Sequence, residues 1–217
     1  MADGRRRLVI VGAGGFGREV AWLVDDINRS RPTWELLGFV DDQATGKTVE
    51  GHPILGDRSC LANLSPRPWI VCSIGDPRVR KRVVDVLSAD GYQFATLVHP
   101  TVCMSRFVRV GCGSVVSAGV VVSTNVTIGR HVILELGCRV AHDSVLGDFA
   151  SLMVGVNIAG EVNVETGCYI GAGATVINRV SVGEWSIIGA GAAVVKDIPP
   201  RVVAVGVPAR PIRTLDD

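Results

Sequence analysis

From Val110 onward an aliphatic side chain recurs at every sixth position: Val110, Val116, Val122, Ile128, Leu134, Val140, Leu146, Leu152, Ile158, Val164, Ile170, Val176, Val182, Ile188 and Val194. An α-helix repeats every ~3.6 residues and a strand alternates, so neither sustains such a series. The next position is repeatedly glycine, as at Gly111, Gly129, Gly147, Gly171, Gly183 and Gly189. Four residues after the aliphatic comes a small or apolar group, as at Ser114, Cys138, Ser144, Ala150, Cys168, Ala174 and Ala192. Three six-residue edges closing a triangle explain the pattern as a parallel β-helix of five coils. The aliphatics stack inward in ladders, the small residues fill the crowded corners, and each coil buries its core against the next. The period alone leaves the hand of the coil open, because the right-handed crossover rule belongs to other folds. Charge is sparse along this stretch, so its flat outer faces are expected to be covered by neighbouring subunits.

Composition narrows the function. Glycine supplies 26 of 217 residues and aromatics only 5%, which suits tight turns between short stacked strands. At 47% hydrophobic and 20% charged the chain is not a disordered tail. Lysine and arginine number 22 against 21 acids, a formal charge of +1, which argues against a nucleic-acid surface. The six cysteines contain no CxxC pair and are read as reduced, mostly buried thiols rather than disulfides or zinc ligands; no metal site is expected. Met1 to Arg7 lacks the apolar stretch of a secretion signal, and no apolar run approaches the roughly 20 residues of a membrane span. A cytoplasmic protein without membrane insertion is expected.

The N-terminal part follows different rules. Leu8 to Val11 is a continuous apolar run, read as a buried parallel strand, and Gly12, Gly14 and Gly17 follow it as GxGxxG, with Gly15 and Phe16 inside the loop. Such glycines let backbone amides approach a phosphate at the N-terminus of the next helix. Val20, Ala21, Leu23, Val24 and Ile27 give that helix its apolar stripe. A second strand, LLGFV, ends in Asp41 and Asp42, where an acid can receive ribose hydroxyls or remain a solvated turn acid before Gln43 to Gly46. Further signals are a strand at Trp69 to Ile74, a helix over Arg78 to Ala89, and a turn at His52 to Asp57. The unit reaches only to about residue 98, short for a dinucleotide domain. The expected organisation is a Rossmann-like α/β nucleotide-sugar domain over 1–98, a β-helix over 99–198 and a tail over 199–217.

The repeat, the run VAHDSVLGDFASLMVGVNIAG and the ending IIGAGAAVVKDIPPRVVAVGVPARPI resemble the hexapeptide-repeat acyltransferases. With GAGGFGREV and GFVDD added, the chain resembles their nucleotide-4-amino-sugar N-acetyltransferase and sialic acid O-acetyltransferase branch over almost its whole length. That resemblance implies a left-handed coil, a homotrimer with active sites between subunits, and acetyl-CoA as co-substrate. It makes His142 of the HD motif the general base beside Asp143, places Gly160 near the acetyl thioester, and lets Ala190 and Arg210 line the cofactor groove. GVPAR matches the groove segment, and Arg201, Arg210 and Arg213 are candidates for the cofactor phosphates. The chain departs from the family at three positions. Ser151 stands nine residues beyond the base where relatives often have histidine, Glu135 replaces an asparagine seven residues before it, and Phe16 replaces a loop histidine. Glu135 can attract a substrate ammonium or pair across the trimer. Phe16 can stack on a base or sugar, or pack under the helix.

The residues support the same chemistry. The chain has four histidines, His52, His99, His131 and His142, and an imidazole is the natural base for acyl transfer near neutral pH. His142 follows an aliphatic coil position and precedes an acid that can hold its tautomer. His131 is read as a corner or exposed histidine, His99 as structural, and His52 as near the nucleotide without a chemical argument. No GxSxG elbow supports a serine nucleophile. The expected activity is acetyl transfer from acetyl-CoA to the 4-amino group of a nucleotide-linked sugar. The alternatives are O-acetylation of sialic acid or another sugar hydroxyl, and a non-catalytic trimeric binding or assembly subunit.

Overall fold

The structure, a computed structural model, describes residues 4–43 and 48–216, so most of the turn expected over Gln43 to Gly46 lies outside the described residues. Strand β1 (Arg6–Val11) leads into helix α1 (Gly15–Ser30), then β2 (Trp34–Val40), the short β3 (Thr48–Val49), β4 (His52–Gly56), a 3-10 turn (Arg58–Asn63), β5 (Trp69–Cys72) and helix α2 (Pro77–Ala89). The sheet order is β3-β4-β2-β1-β5, parallel except for the β3–β4 hairpin. The apolar run of β1 is buried on both faces. Leu8 and Ile10 pack with the α1 stripe of Val20, Leu23 and Val24. Val9 and Val11 pack with Leu61, Val84 and Leu87 beneath the 3-10 turn and α2. No helix among the described residues is long and apolar enough to cross a membrane.

The rest is a left-handed parallel β-helix of two-residue strands. Its first face runs from Leu97–Val98 to Ile187–Ile188 and continues into Val202–Val205. The second face runs from Cys103–Met104 to Ala193–Val194, and the third from Arg109–Val110 to Ser181–Val182. Successive strands on a face pair in parallel one coil apart, as Val121 with Arg139 and Val122 with Val140. From Val116 to Val194 every member of the six-residue series is at most 2% exposed, and the corner residues Ser114, Cys138, Ser144, Ala150, Cys168 and Ala174 are 0% exposed. The coil starts before the recognisable series, because Leu97–Val98 already pairs with Val115–Val116. At the other end, Arg210–Thr214 folds back antiparallel on Val202–Val205.

Each corner repeats its own chemistry. Between the second and third faces stand Asn125, Asp143, Glu161 and Arg179, all with φ near +60°. Between the third and first stand Gly113, His131, Phe149, Gly167 and Trp185, and between the first and second Gly119, Gly137, Gly155, Gly173 and Gly191. This left-handed backbone costs a side chain about 1–2 kcal/mol per residue relative to glycine.

Arg80 of α2 ties the two parts together. It is 1% exposed and donates to the carbonyls of Ile74 (2.6 Å), Gly75 (3.0 Å), His131 (3.0 Å) and Phe149 (2.6 Å), and to Ser151 Oγ (2.8 Å). Burial lowers its pKa to about 10, which leaves it cationic at neutral pH. His131 occupies a corner as expected but is only 6% exposed, so the exposed alternative fails. Its ring stacks on Phe149 at 5.1 Å and meets Phe94 edge-on at 4.8 Å. Burial and then Arg80 lower its pKa to about 4.

Candidate active site

His142 sits at the corner between the second and third faces, where the chain turns outward after Arg139–Val140. Its side chain is 53% exposed, and Nδ1 lies 2.8 Å from Asp143 Oδ2. The other carboxylate oxygen accepts from Asn125 Nδ2 at 2.5 Å. Asn125 and Asp143 are eighteen residues apart, one full coil, and share the left-handed corner conformation. The Asn125 amide first, and His142 second, hold the Asp143 carboxyl below its ordinary pKa. An ionised Asp143 accepts the Nδ1 proton, which leaves the lone pair of Nε2 directed away from the acid. Such an arrangement can act as an oriented base. Asn125 was not singled out in the sequence; the signal was its position one coil before Asp143.

Gly160 lies against the other side of this base. A Cβ built there would stand 2.6 Å from both Cε1 and Nε2 of His142, so only a hydrogen at this position leaves the ring where it is. Asp143, His142 and Gly160 therefore form one local cluster. The remaining residues expected at the site lie elsewhere in the chain. Glu135 flanks the glycine corner between the first and second faces, half-buried, accepting from the Val154 amide at 3.1 Å. Burial raises its pKa, with Glu19 adding repulsion. Ala190 is exposed at the same corner, and the Ala209 amide donates to Ala193 O at 2.8 Å, which brings Arg210 to that end of the coil. This corner and the His142 corner bound opposite edges of the second face. Ser151 is 0% exposed on the first face, bonded to Arg80 and to Gly75 O (2.8 Å), and is not beside His142.

The glycine corner is open along its length. At Gly137, Gly155, Gly173 and Gly191 an added Cβ would meet nothing within 4 Å. Ala190 stands exposed beside the last of these open positions.

The loop after β1 is built for close approach. Gly12 has φ +104°, and a Cβ at Gly17 would lie 2.2 Å from Gly12 O. Ser73, absent from the sequence reading, fixes this turn by donating from Oγ to Gly12 O at 2.9 Å. Gly14 is the N-cap of α1, so no side chain caps that terminus, and the first turn carries no acid. Uncapped N–H groups with the positive end of the helix dipole can receive an anion. In α2, by contrast, Asp76 accepts from the amides of Arg78 and Val79.

Asp41 Oδ2 accepts from Ala13 N at 2.8 Å and Oδ1 from Gln43 N at 2.8 Å, so this acid shapes the loop itself. Asp42 pairs with Arg58 Nε at 2.9 Å on the rim of a cleft of about 770 Å³. Phe16 packs partly against the α1 core, in agreement with the helix-packing alternative. His52 joins Gly15, Arg18, Glu19 and Trp22 around a second cleft of about 500 Å³ beside the loop. His99 is 6% exposed, held by Asp26 Oδ2 (2.9 Å) and Thr101 Oγ1 (2.8 Å), a structural role as expected.

Comparison with known proteins places this architecture. Residues 7–87 match the model of the PglD N-terminal domain family. The chain is 33% identical to the acetyltransferase domain of PglB from Neisseria gonorrhoeae FA1090, covering 96% of this chain and 100% of that one with a TM-score of 0.89. A mutant of GDP-perosamine N-acetyl transferase from Caulobacter crescentus, solved in complex with CoA and GDP-perosamine, is 32% identical over 98% of each chain, with a TM-score of 0.88. GDP-perosamine N-acetyltransferase of Escherichia coli O157:H7 is 32% identical over 117 residues, which are 54% of this chain and 53% of that protein. The chain thus spans about half the length of the curated relatives it matches. With its glycine loop, its period-six coil and the full-length match to the PglB domain, the chain belongs to the family of left-handed β-helix nucleotide-sugar N-acetyltransferases.

Proposed function

We propose that the chain transfers the acetyl group of acetyl-CoA to the 4-amino group of a nucleotide-linked amino sugar, with His142 as general base. The observation that carries this reading is the oriented base: Asn125, Asp143 and His142 joined by hydrogen bonds, with Gly160 pressed against the imidazole. The neutral amine attacks the thioester carbonyl, and a C–N bond forms. His142 Nε2 takes the amine proton, Asp143 stabilises the resulting imidazolium, and a main-chain amide at the corner stabilises the oxyanion. The C–S bond then breaks, and the CoA thiolate takes up a proton.

The complete site takes one corner from each of two copies. His142 and Gly160 occupy one edge of the second face, whereas Ala190, Arg210 and Glu135 belong to the other. Exposed aliphatics gather on the same face and edges: Val121 (43%), Val154 (46%), Ile177 (40%) and Val195 (36%). A homotrimer joining unlike edges buries them and completes three sites. In it Glu135 receives the substrate ammonium, Gly160, Ala190 and Arg210 line the acetyl-CoA groove, and the loop of Gly12, Gly14, Gly15 and Gly17, shaped by Asp41 and packed onto its helix by Phe16, holds the nucleotide with Asp42 at the adjoining rim. Residues 1–98 bind the sugar nucleotide, 99–198 perform the transfer and 199–217 close the cofactor groove. The use of acetyl-CoA, a cytoplasmic metabolite, supports a cytoplasmic location.

The test is thiol release from acetyl-CoA against a panel of nucleotide-linked 4-amino sugars and hydroxyl sugars including sialic acid, with product masses and His142→Ala as control. Amino-sugar-dependent release with one acetyl on nitrogen, lost in a folded His142→Ala protein, is the expected result. Turnover on hydroxyl acceptors alone would replace the reading with O-acetylation, and silence on every acceptor would favour a binding subunit.

A further inference from the structure

A groove unrelated to this chemistry opens where α2 crosses the upper coils, at the corner between the third and first faces. That corner stands opposite the second face, whose two edges carry His142 and the glycine corner. Trp185 is also more than two coils beyond His142, roughly 10 Å along the axis at the usual 4.7–4.9 Å strand spacing. The groove has two connected parts. One, of about 410 Å³, is walled by the apolar surfaces of Pro77, Met153, Tyr169, Trp185 and Ile187. The other, of about 310 Å³, is lined by Trp185 and four cations, Arg78, Lys81, Arg82 and Arg201, with no carboxylate in its wall.

Trp185 is placed with care. It occupies a left-handed corner at φ 58°, and a Cβ at Gly167 would lie 2.2 Å from its ring, so the coil leaves room beneath the indole. The guanidinium of Arg78 stands 5.8 Å from the ring centroid, and its Nη1 donates to the main-chain oxygen of Asp216. Lys81 contacts Asp85 at 2.6 Å, and Arg201 faces Glu184 at 3.6 Å. Arg82 is exposed and makes no hydrogen bond or ion pair among the described residues. At the mouth of the apolar slot, Asp76 uses Oδ1 for the α2 cap, which leaves Oδ2 for a donor from outside.

We propose that this groove is a second nucleotide-binding site, which takes a planar base in the slot between Tyr169 and Trp185 and two phosphate groups in the basic chamber. An apolar aromatic slot with one acceptor at its mouth suits a base with N–H donors, and guanidinium forks suit phosphate oxygens. Both volumes fall within the usual range for small-ligand sites. The same chemistry is present in the adenosine 3′,5′-bisphosphate end of CoA and in the nucleoside diphosphate of a sugar nucleotide.

Calorimetric titration of the full chain with adenosine 3′,5′-bisphosphate, GDP, UDP and inorganic pyrophosphate separates these sources. Three variants assign the site. Gly14→Asp adds an acid at the open N-terminus of α1, Arg82→Glu reverses a charge at an exposed position, and Trp185→Asn keeps a residue that tolerates the left-handed corner. The expected result is a binding component retained in Gly14→Asp and weakened at least tenfold in both Arg82→Glu and Trp185→Asn, with a nucleotide favoured over pyrophosphate. A preference for the adenosine bisphosphate identifies a CoA end, and a preference for GDP or UDP identifies the sugar nucleotide. Isotherms of Arg82→Glu and Trp185→Asn that superimpose on the parent would overturn the proposal, as would binding lost entirely in Gly14→Asp. Should Trp185→Asn not fold, Arg82→Glu decides alone.

Discussion

Replacing Gly160 with alanine tests the oriented base without touching it. The new methyl carbon would stand 2.6 Å from Cε1 and Nε2 of His142. Ordinary contacts between such atoms lie near 3.5–4.0 Å, so the ring must retreat by about 1 Å. The backbone at Gly160 has no left-handed φ to forbid a side chain, and the atoms displaced end a half-exposed side chain. Folding stability should therefore change by no more than about 0.5 kcal/mol. A displacement of ~1 Å costs a positioned catalytic group on the order of 100-fold in rate, or roughly 2.7 kcal/mol of transition-state stabilisation. Acetyl-CoA thiol release at saturating substrates, together with urea unfolding, reads the two quantities separately. A cycle with His142→Ala supplies the control, because once the imidazole is gone the Gly160 methyl has nothing left to displace. Two results would refute the reasoning: kcat of Gly160→Ala within threefold of the parent, or an effect that adds in full to that of His142→Ala.

Other consequences concern the supports of the site. Asn125→Gly keeps the left-handed corner but removes the donor to Asp143. The loss of about 1 kcal/mol should lower kcat roughly fivefold. It should also move the acid limb of the pH–rate profile upward, since Asp143 then protonates at a higher pH. Arg80→Met leaves several buried carbonyls without their cationic donor. Urea unfolding should show a loss of about 3–5 kcal/mol, and Arg80→Lys should not restore it, because one ammonium cannot span acceptors on both units. His131 titrates at about 4 in the folded chain against 6.5 when exposed. Between those values the unfolded chain binds more protons, so stability falls with pH from about 6.5 to 4. His131→Asn should flatten that part of a plot of Tm against pH. Burial raises Cys72 and Cys138 to about 11 and Cys168 to about 12, so iodoacetamide at pH 8 should leave these three thiols unmodified until the chain unfolds.

Periodicity is a local property repeated along the chain, and for that reason the coil could be read directly. The inward positions from Val116 to Val194, the small corner residues at 138, 150, 168 and 174, and the contact of His142 with Asp143 all follow from spacing six and from neighbours in sequence. The glycine loop after β1 was legible for a similar reason, since a strand, a tight turn and a helix are consecutive. Asn125 and Gly160 flank His142 one coil before and one coil after, and only closure of each triangle into eighteen residues converts those separations into contact. Ser73, just after β5, reaches the loop across 61 residues, and Arg80 reaches Ser151 across 71. Such partners share no pattern in the chain, because sheet pairing and the docking of α2 on the coil bring them together. The sequence by itself thus determined the parallel coil and set His142 beside Asp143. The tertiary structure alone decided that Ser151 holds a buried arginine, that His131 lies inside the junction, and that the His142 corner and the glycine corner sit on opposite sides of one face. Each of those outcomes depends on which surfaces meet after folding.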